Sequence, residues 1–140
     1  MSEIDWGALE AAAKAVRARA YAPYSRYHVG AALLDDAGRV HAGCNVENAS
    51  YGLTICAERG AVMKMVSEGG RRILAIVVVT GGDEAGSPCG ACRQVLAELA
   101  GDAPVRMLAV DDAGRETDLV DSSVDALLPR AFRGDLVTGK

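Results

Sequence analysis

Three cysteines and one glutamate stand where they could hold and use a metal ion. Pro88-Cys89-Gly90-Ala91-Cys92 places two thiols three residues apart. On the first turn of a helix, residues at that spacing project to the same side, which suits two ligands on one metal. A helix N-terminus adds positive dipole charge and free N–H groups, and both stabilise thiolates. Alone, the pair also fits a redox dithiol or half of a structural zinc site. Cys56-Ala57-Glu58 changes the balance, because it opens a second helical pattern and offers a third thiolate with the same support. Three protein ligands leave the fourth tetrahedral position open, which marks a catalytic zinc rather than a structural one. Glu58 can stand beside that position without being a ligand, take a proton from the activated water and hand it on. The bland alternative makes Cys56 a small buried hydrophobe and Glu58 an ordinary acid at a helix start.

The elements that must position these groups follow from hydrophobic period and turn chemistry. Leu9, Ala12, Ala13 and Val16 recur at helical spacing, which predicts an amphipathic helix over Ile4–Ala20, stopped by Ala22-Pro23-Tyr24-Ser25. Val29–Leu34 and Arg39–Val46 read as a β-hairpin around Asp35-Asp36-Ala37-Gly38. Asn45–Leu53 is polar and reads as a loop. Cys56–Ser67 reads as a helix ended by Gly69-Gly70, and Ile73–Val79 as a strand covered on both faces. After a loop over Gly81–Pro88 come a helix over Cys89–Ala100, a strand over Val105–Val110 and a short strand near Thr117–Leu119. Asp125–Phe132 reads as a short terminal helix, beyond which the chain should fray. Asp-Asp-Ala-Gly-Arg occurs at 35–39 and again at 111–115, which reads as shared turn chemistry and not an internal repeat. This order predicts one α/β domain over 1–140, a three-layer α/β/α arrangement with a mixed sheet of about five strands.

The bulk properties bound the partners. The 140 residues carry a net charge of −4, and no basic block offers a footprint for nucleic acid. The longest apolar run, Ile73–Val79, is too short to span a bilayer, and Met1–Trp6 has no signal-peptide character. A cytoplasmic location with reduced cysteines is the expectation. A chain of this length has a limited core, so self-association is a natural way to bury more surface. Cys44 lacks a partner at ligand spacing and reads as a buried thiol. His28 and His41 fall in predicted strand regions and read as strand or surface histidines.

A ligand-x-Glu followed by Pro-Cys-x-x-Cys is similar to the signature of zinc-dependent nucleobase deaminases. The resemblance extends further. Asn45-Val46-Glu47-Asn48-Ala49-Ser50-Tyr51-Gly52-Leu53, Cys56-Ala57-Glu58-Arg59 and Ser87 through Gln94 resemble the cytidine deaminases of the small homotetrameric class. Tyr21-Ala22-Pro23-Tyr24-Ser25 and Leu127-Leu128-Pro129-Arg130-Ala131-Phe132 resemble that family's flanking motifs, so the match runs from about residue 15 to 133. It implies Zn2+ on Cys56, Cys89 and Cys92, with Glu58 as the catalytic acid and base. It implies ribose binding by Asn45 and Glu47, which alternate at a strand end and can face one side. The backbone near Ala57 would read the amino group, and Tyr51 and Phe132 would reach into a neighbouring subunit's site. A core position is the plainer reading of both aromatics.

Zinc with three thiolates has a net charge of about −1, which weakens it as a Lewis acid. Arg59 stands three residues after Cys56 and Arg93 directly after Cys92, and the resemblance implies that they hydrogen-bond the sulfurs and withdraw charge. Tyr27 is a departure, since the family commonly has phenylalanine there; the ring can still stack on a pyrimidine, but its hydroxyl adds a polar atom. The implied activity is hydrolytic deamination of free cytidine and deoxycytidine in pyrimidine salvage by a homotetramer, with no nucleic acid or membrane partner. Its rivals are a deaminase of a cytosine-containing antibiotic such as blasticidin S, a polynucleotide deaminase, and a non-catalytic zinc or redox protein. The segment from Asn45 to Tyr51 resembles cytidine deaminase rather than the antibiotic class. Acidic charge balance argues against a bound strand.

Overall fold

The computed structural model of the chain describes residues 3–139; Met1, Ser2 and Lys140, the ends of the expected 1–140 unit, lie outside the described residues. Helix α1 (Trp6–Arg17) starts at Asp5, whose carboxylate accepts the Ala8 N–H at 3.1 Å. It is shorter than Ile4–Ala20, because the chain turns tightly after Arg17, with Arg19 and Ala20 N–H bonded three residues back. Strands β1 (Gly30–Asp35) and β2 (Val40–Cys44) form the predicted hairpin. One 3-10 turn (Tyr51–Leu53) interrupts the expected loop before α2 (Ala57–Ser67). Then come β3 (Ile73–Gly81), α3 (Gly90–Ala100), β4 (Pro104–Val110) and β5 (Glu116–Ser123), followed by the short helices α4 (Val124–Leu127) and α5 (Asp135–Thr138).

The sheet order is β2-β1-β3-β4-β5, with β3 and β4 parallel and every other pair antiparallel. Strand β3 is apolar from Ile73 to Val79 because both of its faces are covered. Ala75, Val77 and Val79 pack with Leu9 and Ala13 of α1. Ile76 and Val78 join the opposite core with Val62 and Met65 of α2 and Leu96 of α3. The result is the expected three-layer α/β/α arrangement. No helix among the described residues is long and apolar enough to cross a membrane.

One contact governs how α2 lies on the sheet. A Cβ at Gly43 of β2 would come within 2.4 Å of the Ala61 nitrogen and 2.7 Å of the Ala57 carbonyl oxygen. Only glycine lets the first turns of α2 press directly on that backbone. The turn so seated carries Cys56, Ala57 and Glu58.

The two copies of Asp-Asp-Ala-Gly-Arg make the same turn. Asp35 Oδ1 accepts the N–H groups of Ala37 and Arg39 at 2.8 and 2.9 Å. Asp111 Oδ1 accepts those of Ala113 and Arg115 at 3.0 and 2.9 Å. Gly38 and Gly114 supply the positive φ in each. The first copy has a further role. Asp35 is buried, its Oδ2 2.8 Å from Nε2 of buried His41 and 2.9 Å from Arg39 Nε. Burial opposes its charge, but these bonds win and hold its carboxyl at about 2.

Several sequence expectations need correction. His41 is a strand residue but lies in the interior, and His28 sits in coil before β1, with its carbonyl bonded by Arg17 Nε at 2.8 Å. Cys44 is half-buried rather than buried. Strand β5 is longer than Thr117–Leu119 because it pairs with the whole of β4; its apolar pair Leu119-Val120 is itself exposed, so burial and polarity do not alternate along it. The helix expected over Asp125–Phe132 stops at Leu127, since Pro129 forces Leu128 out of helical conformation. Instead of fraying, the tail forms α5, closed by the left-handed Gly139, with Arg133 paired to Asp135 at 3.1 Å.

Candidate active site

Helices α2 and α3 begin beside each other, and their first turns bring three sulfurs together. Cys56 and Cys89 are the residues that open α2 and α3, and neither thiol caps its own helix. Each is therefore free to turn outward from its N-terminus. Cys92 follows within the first turn of α3 and is buried, while Cys89 is exposed. The three Sγ atoms all lie within 4.8 Å of one another, with Cys56 Sγ 3.8 Å from Cys89 Sγ. Two sulfurs on a tetrahedral zinc stand about 3.8 Å apart, given Zn–S bonds of about 2.3 Å. Donor set and spacing therefore fit zinc. Among the described residues this is the one group of three or more His, Cys, Asp or Glu that could hold a metal ion.

The electrostatics are those of a thiolate centre. A hydrogen bond from Cys92 lowers the pKa of the Cys56 thiol; burial opposes this, and Arg59 and Cys89 add to the lowering. The same bond and burial push the Cys92 thiol up, so the charge resides first on Cys56. Arg59 Nη2 lies 3.4 Å from Cys56 Sγ and 3.4 Å from the Thr54 carbonyl oxygen. That is the contact expected of it. Arg93 behaves differently: it donates to the carbonyls of Pro88 and Leu127 at 2.7 and 2.6 Å and to Ser87 Oγ at 2.9 Å. It ties the chain before Cys89 to the end of α4 rather than bonding sulfur.

Glu58 is 4% exposed and lines the same cleft as Cys56 and Cys89. Burial raises its carboxyl to about 7, the Cys56 thiolate adds to the rise, and Arg59 works against it. A carboxyl near neutrality can both accept and return a proton.

Opposite the sulfurs, β2 ends at Cys44 and Val46 bridges to Tyr21 and Ile55. Asn45 and Glu47 flank that bridge and both line the cleft, as alternation requires. Asn45 Oδ1 accepts the Val29 N–H at 2.9 Å, and its Nδ2 donates to the Tyr27 carbonyl at 2.8 Å. Glu47 Oε1 accepts the N–H groups of Tyr24 and Ser25 at 2.9 and 3.1 Å, and Ser25 Oγ donates to Oε2. The Ser25 hydroxyl, with the two N–H groups, keeps Glu47 ionised below the usual carboxylate range.

Tyr27 and Ala57 line the same cleft. Tyr51 is 73% exposed and borders an adjoining depression, its ring edge-on to Tyr24 at 5.6 Å. Phe132 is 62% exposed and outside the cleft lining; its carbonyl accepts from Gln94 Nε2 at 2.9 Å. Neither ring is in the core, so the plainer reading of both fails. Sequence reasoning missed Ser25, Thr54, Thr80 and Ser87 in the lining. Ser25 lay inside a quoted motif, but a hydroxyl has no spacing rule to give it away.

Comparison with known proteins agrees with this geometry. Residues 7–108 match the model of the cytidine and deoxycytidylate deaminase zinc-binding region. The chain is 48% identical over 132 residues to the cytidine deaminase of Mycobacterium tuberculosis, covering 94% of this chain and 92% of that one. It is 49% identical over 125 residues to that of Halalkalibacterium halodurans, covering 87% and 91%. The crystal structure of cytidine deaminase from Burkholderia pseudomallei superposes with a TM-score of 0.82 at 46% identity, covering 92% of this chain and all of that one.

Proposed function

The chain belongs to the cytidine and deoxycytidylate deaminase family, and on that premise we propose that it hydrolyses free cytidine and deoxycytidine to uridine and deoxyuridine, releasing ammonia. One observation carries this reading: three cysteine sulfurs converge beside a buried carboxyl in a cleft that Asn45 and Glu47 also line. Cys56, Cys89 and Cys92 would hold Zn2+, which when bound supplies the Lewis acid that makes water nucleophilic near neutral pH. Glu58 takes the proton of that water and delivers it to N3 of cytosine, which opens C4 to attack. Once the water oxygen has bonded to C4, the ionised Glu58 takes the remaining proton of the new hydroxyl and passes it to the amino group, whose bond to C4 breaks, so one water is consumed and one ammonia released. Arg59 draws charge from Cys56. Arg93 anchors the segment that carries Cys89.

Asn45 and Glu47 take the ribose hydroxyls, the Tyr27 ring lies against the base, and the backbone near Ala57 reads the amino group. Ribose recognition supports a free nucleoside rather than an antibiotic or a polynucleotide. A redox or structural zinc protein would leave Glu58 in the cleft without a task. The relatives carry the name cytidine deaminase, which favours none of these rivals. The exposure of Tyr51 and Phe132 supports a homotetramer in which each reaches a neighbour's site, and the acidic charge balance supports a protein without nucleic acid partners. A single domain, a cytoplasmic setting and a role in pyrimidine salvage complete the proposal.

An ultraviolet absorbance assay of the purified protein tests it with cytidine, cytidine 5′-monophosphate and a short cytosine-rich oligonucleotide in parallel. Conversion of cytidine alone is expected. Turnover of the oligonucleotide, or of none in protein carrying one zinc per chain, would overturn the free-nucleoside assignment.

A further inference from the structure

Gly86 lies in the chain between β3 and α3, just ahead of Cys89. Its φ is not in the left-handed region, so backbone conformation does not call for glycine there. Space does. A Cβ at this position would stand 2.4 Å from the Tyr27 hydroxyl, and 2.9 and 3.1 Å from Cγ2 and Oγ1 of Thr80.

Neither backbone can retreat easily. The Gly86 N–H donates to Oγ1 of buried Thr80 at 2.9 Å, and the Ala85 N–H to Asp118 at 2.8 Å. Across the cleft, the Tyr27 N–H donates to Ser25 Oγ at 3.0 Å while its carbonyl accepts from Asn45 at 2.8 Å. The Tyr27 side chain therefore reaches across from one anchored segment to another, and its hydroxyl fills the space that Gly86 leaves. A side chain at 86 would meet the Tyr27 hydroxyl and Thr80; Thr80 is buried and held by its bond to the Leu108 carbonyl at 3.3 Å, which leaves the ring as the part to turn.

We propose that Gly86 is a positioning residue: the space above its Cα seats the Tyr27 hydroxyl and so sets where the Tyr27 ring stands in the cleft against a cytosine base. The atoms nearest a Cβ at 86 belong to Tyr27 and Thr80 and not to a cysteine or to Glu58, so the effect of Gly86 falls on substrate binding. The inference rests on the cytidine reading above, and wild-type turnover separates the two: without it the reading fails, and with it the Gly86 arms decide.

The test is the effect of Gly86→Ala on kcat and KM for cytidine in three backgrounds: wild type, Tyr27→Phe and Thr80→Ser. Zinc content and Tm are measured for all six proteins. In the wild-type background KM should rise about tenfold with kcat changed less than about threefold. In the Tyr27→Phe background, where no hydroxyl opposes the new methyl, the rise should shrink to less than about threefold. Folding of Gly86→Ala only when Tyr27 is phenylalanine would support the same coupling. An equal KM rise in both of those backgrounds, relief by Thr80→Ser instead, unchanged KM in the wild-type background, or unfolding in every background would overturn the proposal.

Discussion

Replacing Glu58 with alanine is expected to lower kcat for cytidine by about 10²- to 10⁴-fold, a barrier increase of about 3–5 kcal/mol. The expectation follows from position. Glu58 is the second residue of α2 and is buried in the cleft beside Cys56 and Cys89, yet it is not one of the three converging ligands. Its loss removes the group that moves protons while leaving the sulfurs in place. Zinc content should stay at one per chain. Stability should hold as well, because burial disfavours the charged form of this carboxyl and, among the described residues, no side chain depends on it for a hydrogen bond. Glu58→Gln separates shape from proton transfer and should be equally impaired in kcat. Activity within about tenfold of wild type would remove Glu58 from the mechanism.

The second large effect belongs to the metal. Cys89→Ala should carry less than about a tenth of the wild-type zinc and show no measurable turnover, since two sulfurs cannot complete a site that uses three protein ligands. Cys89 is exposed and no core contact depends on it, so the apo variant should still fold. Its Tm should fall below that of zinc-loaded wild type by the stabilisation that a native-state ligand confers. Elemental analysis and a thermal melt on the same preparation check both. Full zinc occupancy in Cys89→Ala would show that the ion is held elsewhere.

Much of this was legible because the chemistry is local. Cys89-Gly90-Ala91-Cys92 and Cys56-Ala57-Glu58 each sit at a helix start that the flanking glycines and the 3.6 period mark plainly, and both helices begin within one residue of expectation. Strand β3 announced itself as a both-faces-buried strand. What the residues did not reveal is tertiary. Strand β5 exists through pairing with β4, and because adjacent Leu119 and Val120 are both exposed it carries no alternation to read. Arg93 directly follows the ligand Cys92 while Arg59 stands three residues beyond Cys56, yet only the packed structure shows Arg93 bonding Pro88, Ser87 and Leu127 instead of sulfur. His41, read as a strand or surface histidine, is a strand residue, but nothing in the chain signals that Asp35 turns inward to meet it in the interior. The close approach of Gly86 to Tyr27 joins segments about 60 residues apart and is likewise a property of the fold.

The central claim, hydrolysis of cytidine's amino group, is tested most directly by running the reaction with cytidine in ¹⁸O-labelled water and weighing the uridine. Water is the nucleophile in this account, so single-turnover product should gain one solvent oxygen and appear about two mass units heavier, with one ammonia released per uridine. Uridine formed without the label, or loss of cytidine without stoichiometric ammonia, would contradict hydrolytic deamination at this site.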